Sequence, residues 1–163
     1  ILYEDDKILI YTQNFCKKIN KRHISKRHVL TIFKMVKLML NKNSLSTDIG
    51  PHNVGVYDDK TVLFDYHGMH PVLKRGKMPR GKWWGRLSKN LILYMSYIYC
   101  PDEIPNYSKL IKHLNEKSVH IMEKDKLLPS CLIQLLKYFV TQTSQLEIVI
   151  DLLDQCIDHL SHY

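Results

Sequence analysis

Thr47-Asp48-Ile49-Gly50-Pro51-His52-Asn53-Val54-Gly55-Val56-Tyr57, continued by Asp58-Asp59-Lys60-Thr61-Val62-Leu63-Phe64-Asp65-Tyr66-His67-Gly68, is the stretch on which the reading of the fold turns. Residues 54–57 and 61–64 are two short β-prone runs, and Asp58-Asp59-Lys60 between them is a turn former, so a hairpin is predicted. Gly50, Pro51, Gly55 and Gly68 punctuate the segment. One account of its polar residues needs no chemistry: Asp48 caps a turn, Asn53 closes a tight loop, and Asp65 ends a strand.

Upstream, Val29, Ile32, Phe33, Val36 and Leu40 recur at helical spacing and predict an amphipathic helix over 29–40, stopped by Asn41-Lys42-Asn43-Ser44. A basic connector precedes it. Before that, the runs 1–3 and 8–11 flank Glu4-Asp5-Asp6-Lys7 and predict a hairpin. Downstream, residues 73–86 are rich in Gly, Pro and basic side chains and predict a surface loop. Leu87, Leu91, Tyr94, Met95 and Ile98 mark a helix ended by Cys100-Pro101. The polar segment 101–126 is expected to hold one short helix near 107–114. Leu132, Leu135, Leu136 and Phe139 mark another helix, and Val149, Leu152, Leu153, Cys156, Ile157 and Leu160 a last one.

Composition sets the limits. The chain has 163 residues, 45% of them hydrophobic, enough for a core, and no run long enough to span a membrane. The start, ILYEDDKILI, lacks the basic-then-apolar pattern of a secretory signal, and its want of an initial Met suggests a processed product or a piece of something longer. Cys16, Cys100, Cys131 and Cys156 form no C-x-x-C pair, which argues for reduced, buried thiols and an intracellular protein rather than a zinc site or a disulfide framework. The net charge of +8 is uneven: 18 Lys+Arg against 7 Asp+Glu in residues 1–100, but 6 against 9 in 101–163. Lys17, Lys18, Lys21, Arg22, Lys26 and Arg27 form one basic patch. Lys74, Arg75, Lys77, Arg80, Lys82, Arg86 and Lys89 form another. Either suits an anionic ligand, a nucleic acid or an acidic protein surface, and either would also serve as a solvated face.

An Asp, four residues, an Asn, two β-runs and a second Asp resemble the catalytic and metal-binding segment of the protein-kinase-like superfamily, H-x-D-x-x-x-x-N followed by D-F-G. Pro51 also falls where that family commonly has proline. The resemblance covers roughly residues 1–100. It implies an α+β, mainly α-helical fold: a kinase-like C-terminal lobe over 16–163, with residues 1–15 as a hairpin remnant of the N-terminal lobe plus the hinge at 11–15. By the same resemblance Asp48 is the catalytic carboxylate, while Asn53 and Asp65 hold Mg²⁺ against the phosphates of ATP. Phosphoryl transfer needs such groups because it is chiefly positioning and charge neutralisation, and Mg²⁺ prefers hard oxygen ligands.

The departures are specific. Ser46 stands for the motif His, Thr47 for the following Arg, Gly50 for the Lys of Ser/Thr kinases, and His67 for the Gly of D-F-G. No Gly-rich phosphate loop and no phosphate-pairing Lys are present. The resulting expectation is a pseudokinase that binds a protein partner, either a larger assembly or a full kinase. The alternatives are a fragment of an active ATP- and Mg²⁺-dependent phosphotransferase, in the manner of protein kinases or of aminoglycoside and choline phosphotransferases, and a basic nucleic-acid-binding domain. Three smaller possibilities remain. His52, His67, His70 and Asp65 offer loose transition-metal spacing, and Asp151, Asp154 and Asp158 share a helix face that suits a cation or simply water. Trp83-Trp84 is either a stacking platform or, the favoured reading, a core anchor at a helix start.

Overall fold

The structure, a computed structural model, describes residues 3–4, 9–10, 17–19, 23–46, 48–64, 70–71, 82–141 and 145–162. It is mainly helical with small antiparallel β-elements. β1 (Tyr3–Glu4) pairs with β2 (Leu9–Ile10), as the first hairpin predicts. The expected hinge at 11–15 lies outside the described residues. The basic connector contributes a strand of its own: β3 (Lys17–Lys18) pairs with β5 (Val54–Tyr57), which pairs in turn with β6 (Lys60–Leu63). Asp58 and Asp59 both adopt positive φ, 49° and 55°. A two-residue connection needs that conformation to match the strand twist, and Asp tolerates it. Lys60, read as part of the turn, already belongs to β6. β4 (Ser44–Leu45) pairs with β7 (His70–Pro71), so the chain ahead of the site and the chain beyond it are tied together.

α1 (Lys26–Asn41) carries the predicted stripe, and Val29, Ile32, Phe33, Val36 and Leu40 are all fully buried. It begins three residues earlier than the apolar pattern because its first turn is closed by polar groups: the Ser25 N–H donates to Nδ1 of His28 at 3.0 Å. Burial, and then the neighbouring Arg27 charge, hold the His28 pKa below its ordinary value, which keeps that nitrogen an acceptor. α2 (Lys82–Tyr99) starts inside the segment expected to be loop. The correction has a packing cause: Trp84, Leu87, Ser88 and Leu91 already form a buried stripe there, and the Ser88 hydroxyl donates to the Trp84 carbonyl at 2.6 Å.

The polar stretch after Pro101 holds two helices, not one: α3 (Ile104–Lys112) and α4 (Glu116–Asp125). Asn115 separates them by capping α4, its Oδ1 accepting from the Ser118 N–H at 3.0 Å. α5 (Ser130–Thr141) and α6 (Leu146–His162) follow as predicted. α1 packs on α6, α6 on α5, α5 on both α4 and α2, and one apolar cluster runs through them all. Of the three carboxylates at 151, 154 and 158 on α6, Asp154 is ion-paired. It turns to α1, where Lys37 Nζ donates to its Oδ2 at 2.6 Å. Among the described residues no three metal-binding side chains cluster, and no helix is long and apolar enough to cross a membrane.

Candidate functional site

Leu45 at the end of β4 is buried, and in the loop beyond it Ile49 and Gly50 lie against α2. Ser46 and Ile49 are buried, and the Asp48 N–H points at the Ser46 hydroxyl at 3.4 Å. The Ile49 carbonyl accepts a hydrogen bond from the Tyr94 hydroxyl of α2. Burial pushes the Tyr94 phenol far above its usual range, so it stays a donor. This bond spans 45 residues of sequence and fixes the loop to α2.

Beyond Gly50, a single 3₁₀ turn (Pro51–Asn53) folds the chain back on itself, started by a proline whose missing N–H costs nothing at that position. The Asn53 N–H donates to the Gly50 carbonyl at 2.9 Å. Its side-chain Nδ2 donates to the Asp48 carbonyl at 3.0 Å, and its own carbonyl accepts the Phe64 N–H at 2.9 Å. Asn53 is therefore buried and held on three sides, with its amide orientation set: the nitrogen end faces a carbonyl, which makes the other end the acceptor end. Asp48 and Asn53, five positions apart, are joined by this bond from the Asn53 side chain to the Asp48 backbone. Asp65 lies outside the described residues, as do His67 and the side chain of His70.

The same turn delivers a residue that the sequence reading placed elsewhere. His52 Nε2 stands 3.2 Å from Oδ1 of Asp48, with the two side chains 57% and 37% exposed. Its ring lies over Gly50: a Cβ there would meet His52 Cε1 at 2.6 Å and Nδ1 at 2.7 Å. Gly50 has φ −63°, which Ala adopts without strain. Gly50→Ala is accordingly expected to swing the exposed imidazole away and break its contact with Asp48, with the melting temperature moving by less than about 3 °C. Ring-nitrogen NMR shifts of His52 measure the first effect and thermal unfolding the second.

Around this loop, Lys17, Lys18 and Arg27 are exposed, and Arg27 Nη2 reaches the Asp59 carbonyl at 3.5 Å. The second basic patch falls mostly outside the described residues. Trp84 is a core residue, stacked on Phe139 with centroids 5.1 Å apart. Comparison with protein-family models, with curated proteins and with solved structures gives no match.

Proposed function

We propose that the chain is a kinase-like lobe of the pseudokinase type, which works by binding a protein partner. The observation that carries the reading is the pair of contacts at Asp48, one through its backbone and one through its carboxylate. Its backbone carbonyl holds the nitrogen end of the Asn53 amide, which leaves the oxygen end for a metal ion, while its carboxylate faces His52 in place of an incoming hydroxyl. Ser46, buried where the motif has His, adds to it. An imidazole nitrogen 3.2 Å from the carboxylate stands where a substrate hydroxyl would have to approach. The exposed Lys17, Lys18 and Arg27 supply a surface suited to an acidic partner.

The second reading, a phosphotransferase lobe active with Mg²⁺ and ATP, is favoured by the set orientation of Asn53. Thermal unfolding with millimolar Mg·ATP separates the two. The pseudokinase reading expects no change in melting temperature, because a ligand that does not bind the folded chain cannot stabilise it. A rise of several degrees that disappears in Asp65→Ala transfers the assignment to the phosphotransferase. An Asp65 carboxylate found too far from Asn53 to share one ion removes both readings.

A further inference from the structure

The β3–β5–β6 sheet has two faces, and its contribution to the core comes from one of them. Side chains alternate along a strand, and residues paired across strands share a face. Val54 and Val56 of β5 and Leu63 of β6 pack into the apolar cluster, with Thr61 buried opposite Val56. The other face carries Gly55 and Tyr57 of β5, Lys60 and Val62 of β6, and Lys18 of β3, which pairs with Gly55. Phe64, one residue past β6, continues that alternation. Two aromatic rings therefore belong to the outer face. Tyr57 is 42% exposed at the end of β5. The half-buried Phe64 ring lies over Gly55, where a Cβ would meet its Cε1 at 3.1 Å and its Cδ1 at 3.2 Å. The missing side chain of Gly55 is what lets the ring rest on the strand. That point is two residues, or about 7 Å, along β5 from Tyr57. Cations frame the rings. Lys18 and Lys60 are on the same face, Lys17 is next to Lys18 on the edge strand, and all three are exposed. Arg27, also exposed, reaches the hairpin at the Asp59 carbonyl. The carboxylates of the turn, Asp58 and Asp59, are exposed too, which leaves these four cations against two carboxylates. The balance favours an anion.

We propose that this outer face binds single-stranded nucleic acid, with bases stacked on Tyr57 and Phe64 and phosphates held by Lys17, Lys18, Lys60 and Arg27. A strand without a complement offers both things the surface can take: open base faces for the rings and a negative backbone for the cations. A duplex keeps its base faces stacked inside and presents the phosphates alone. An acidic protein segment meets the cations and leaves the rings without a partner. Stacking accepts every base, so the binding has little sequence preference. This activity does not involve the loop 46–53 and does not depend on the kinase-like reading.

The test uses the full chain and a fluorescein-labelled oligothymidylate of about 16 nucleotides, followed by fluorescence anisotropy over a range of salt concentrations. Four neutralised phosphates give a slope of log affinity against log salt of about −3. Tyr57→Ala is expected to weaken binding roughly 5- to 100-fold at fixed salt without changing that slope. Lys18→Ala with Lys60→Ala does the reverse in kind, flattening the slope by about 1.4. Tyr57→Phe keeps the ring and should bind like the wild type. Where Tyr57→Ala does not fold, Tyr57→Leu, apolar but without a ring, gives the same reading. No binding at low salt, an affinity indifferent to loss of the Tyr57 ring, or equal binding of the same strand paired with its complement overturns the proposal. Polyglutamate that binds as tightly as the oligonucleotide also overturns it, and assigns the face to an acidic protein.

Discussion

Asn53→Ala is expected to lower the melting temperature by roughly 5–10 °C, out of proportion to the few atoms it removes. The side chain is 3% exposed, and its Nδ2 donates to the Asp48 carbonyl at 3.0 Å inside the loop. Deleting the donor takes that bond from the carbonyl, and such losses cost about 1–3 kcal/mol when the group left behind is buried. Loss of packing among Ile49, Pro51 and Val54, all buried, adds to it and brings the total to about 2–3 kcal/mol. The isosteric Asn53→Asp separates the two contributions. It keeps the volume but sets a carboxylate oxygen against a carbonyl, so its cost at neutral pH should equal or exceed that of Ala. The contact favours the protonated acid and raises its folded-state pKa. The penalty is therefore full above that raised value and eases as pH falls through it. Urea midpoints of the two variants at neutral and acid pH measure this. If Asn53→Asp proves harmless at neutral pH, the amide bond is not what holds the loop.

How much of this was legible in the sequence follows from the range of the interactions. α1, α5 and α6 could be read because their apolar residues recur at the helical period, and the β5–β6 hairpin because its strands flank a turn former. α4 could not: only Val119 and Met122 of its large apolar residues are buried, among Glu, Lys and His, and its beginning depends on the Asn115 cap. The start of α2 was hidden by Gly81, Gly85 and basic neighbours that mimic a loop, although Trp84 is buried against a helix far along the chain. At the site, the Asp48–Asn53 spacing announced itself. The approach of His52 to Asp48 did not, since i,i+4 neighbours meet in a loop only when a 3₁₀ turn curls them together. Tyr94 on the Ile49 carbonyl was illegible for a plainer reason: no local rule joins residues 45 positions apart.

Trp84→Ala is expected to destabilise the chain by about 3 kcal/mol, toward the low end for truncating a buried tryptophan. The indole stacks on Phe139 at 5.1 Å and 21°, and is the aromatic joint between α2 and α5. Two effects set the size. Losing the ring removes a large apolar area and an aromatic pair, which pushes the cost up. Against that, one edge of the pair borders a cavity of about 250 Å³ lined also by Ser88, Leu114 and Asn115, so water can fill the space that a sealed core would leave empty. Trp84→Phe retains part of the stack and should cost less than half as much. Trp84 lies about 15 Å along α2 from Tyr94, at 1.5 Å rise per residue. The Tyr94–Ile49 bond and the contact of His52 with Asp48 should therefore survive in the folded fraction of Trp84→Ala, visible as unchanged His52 ring shifts beside a melting temperature lowered by roughly 6–12 °C. A variant that loses the His52 contact while still folded would show the opposite: that the first turn of α2 positions the loop as well as stabilising the core.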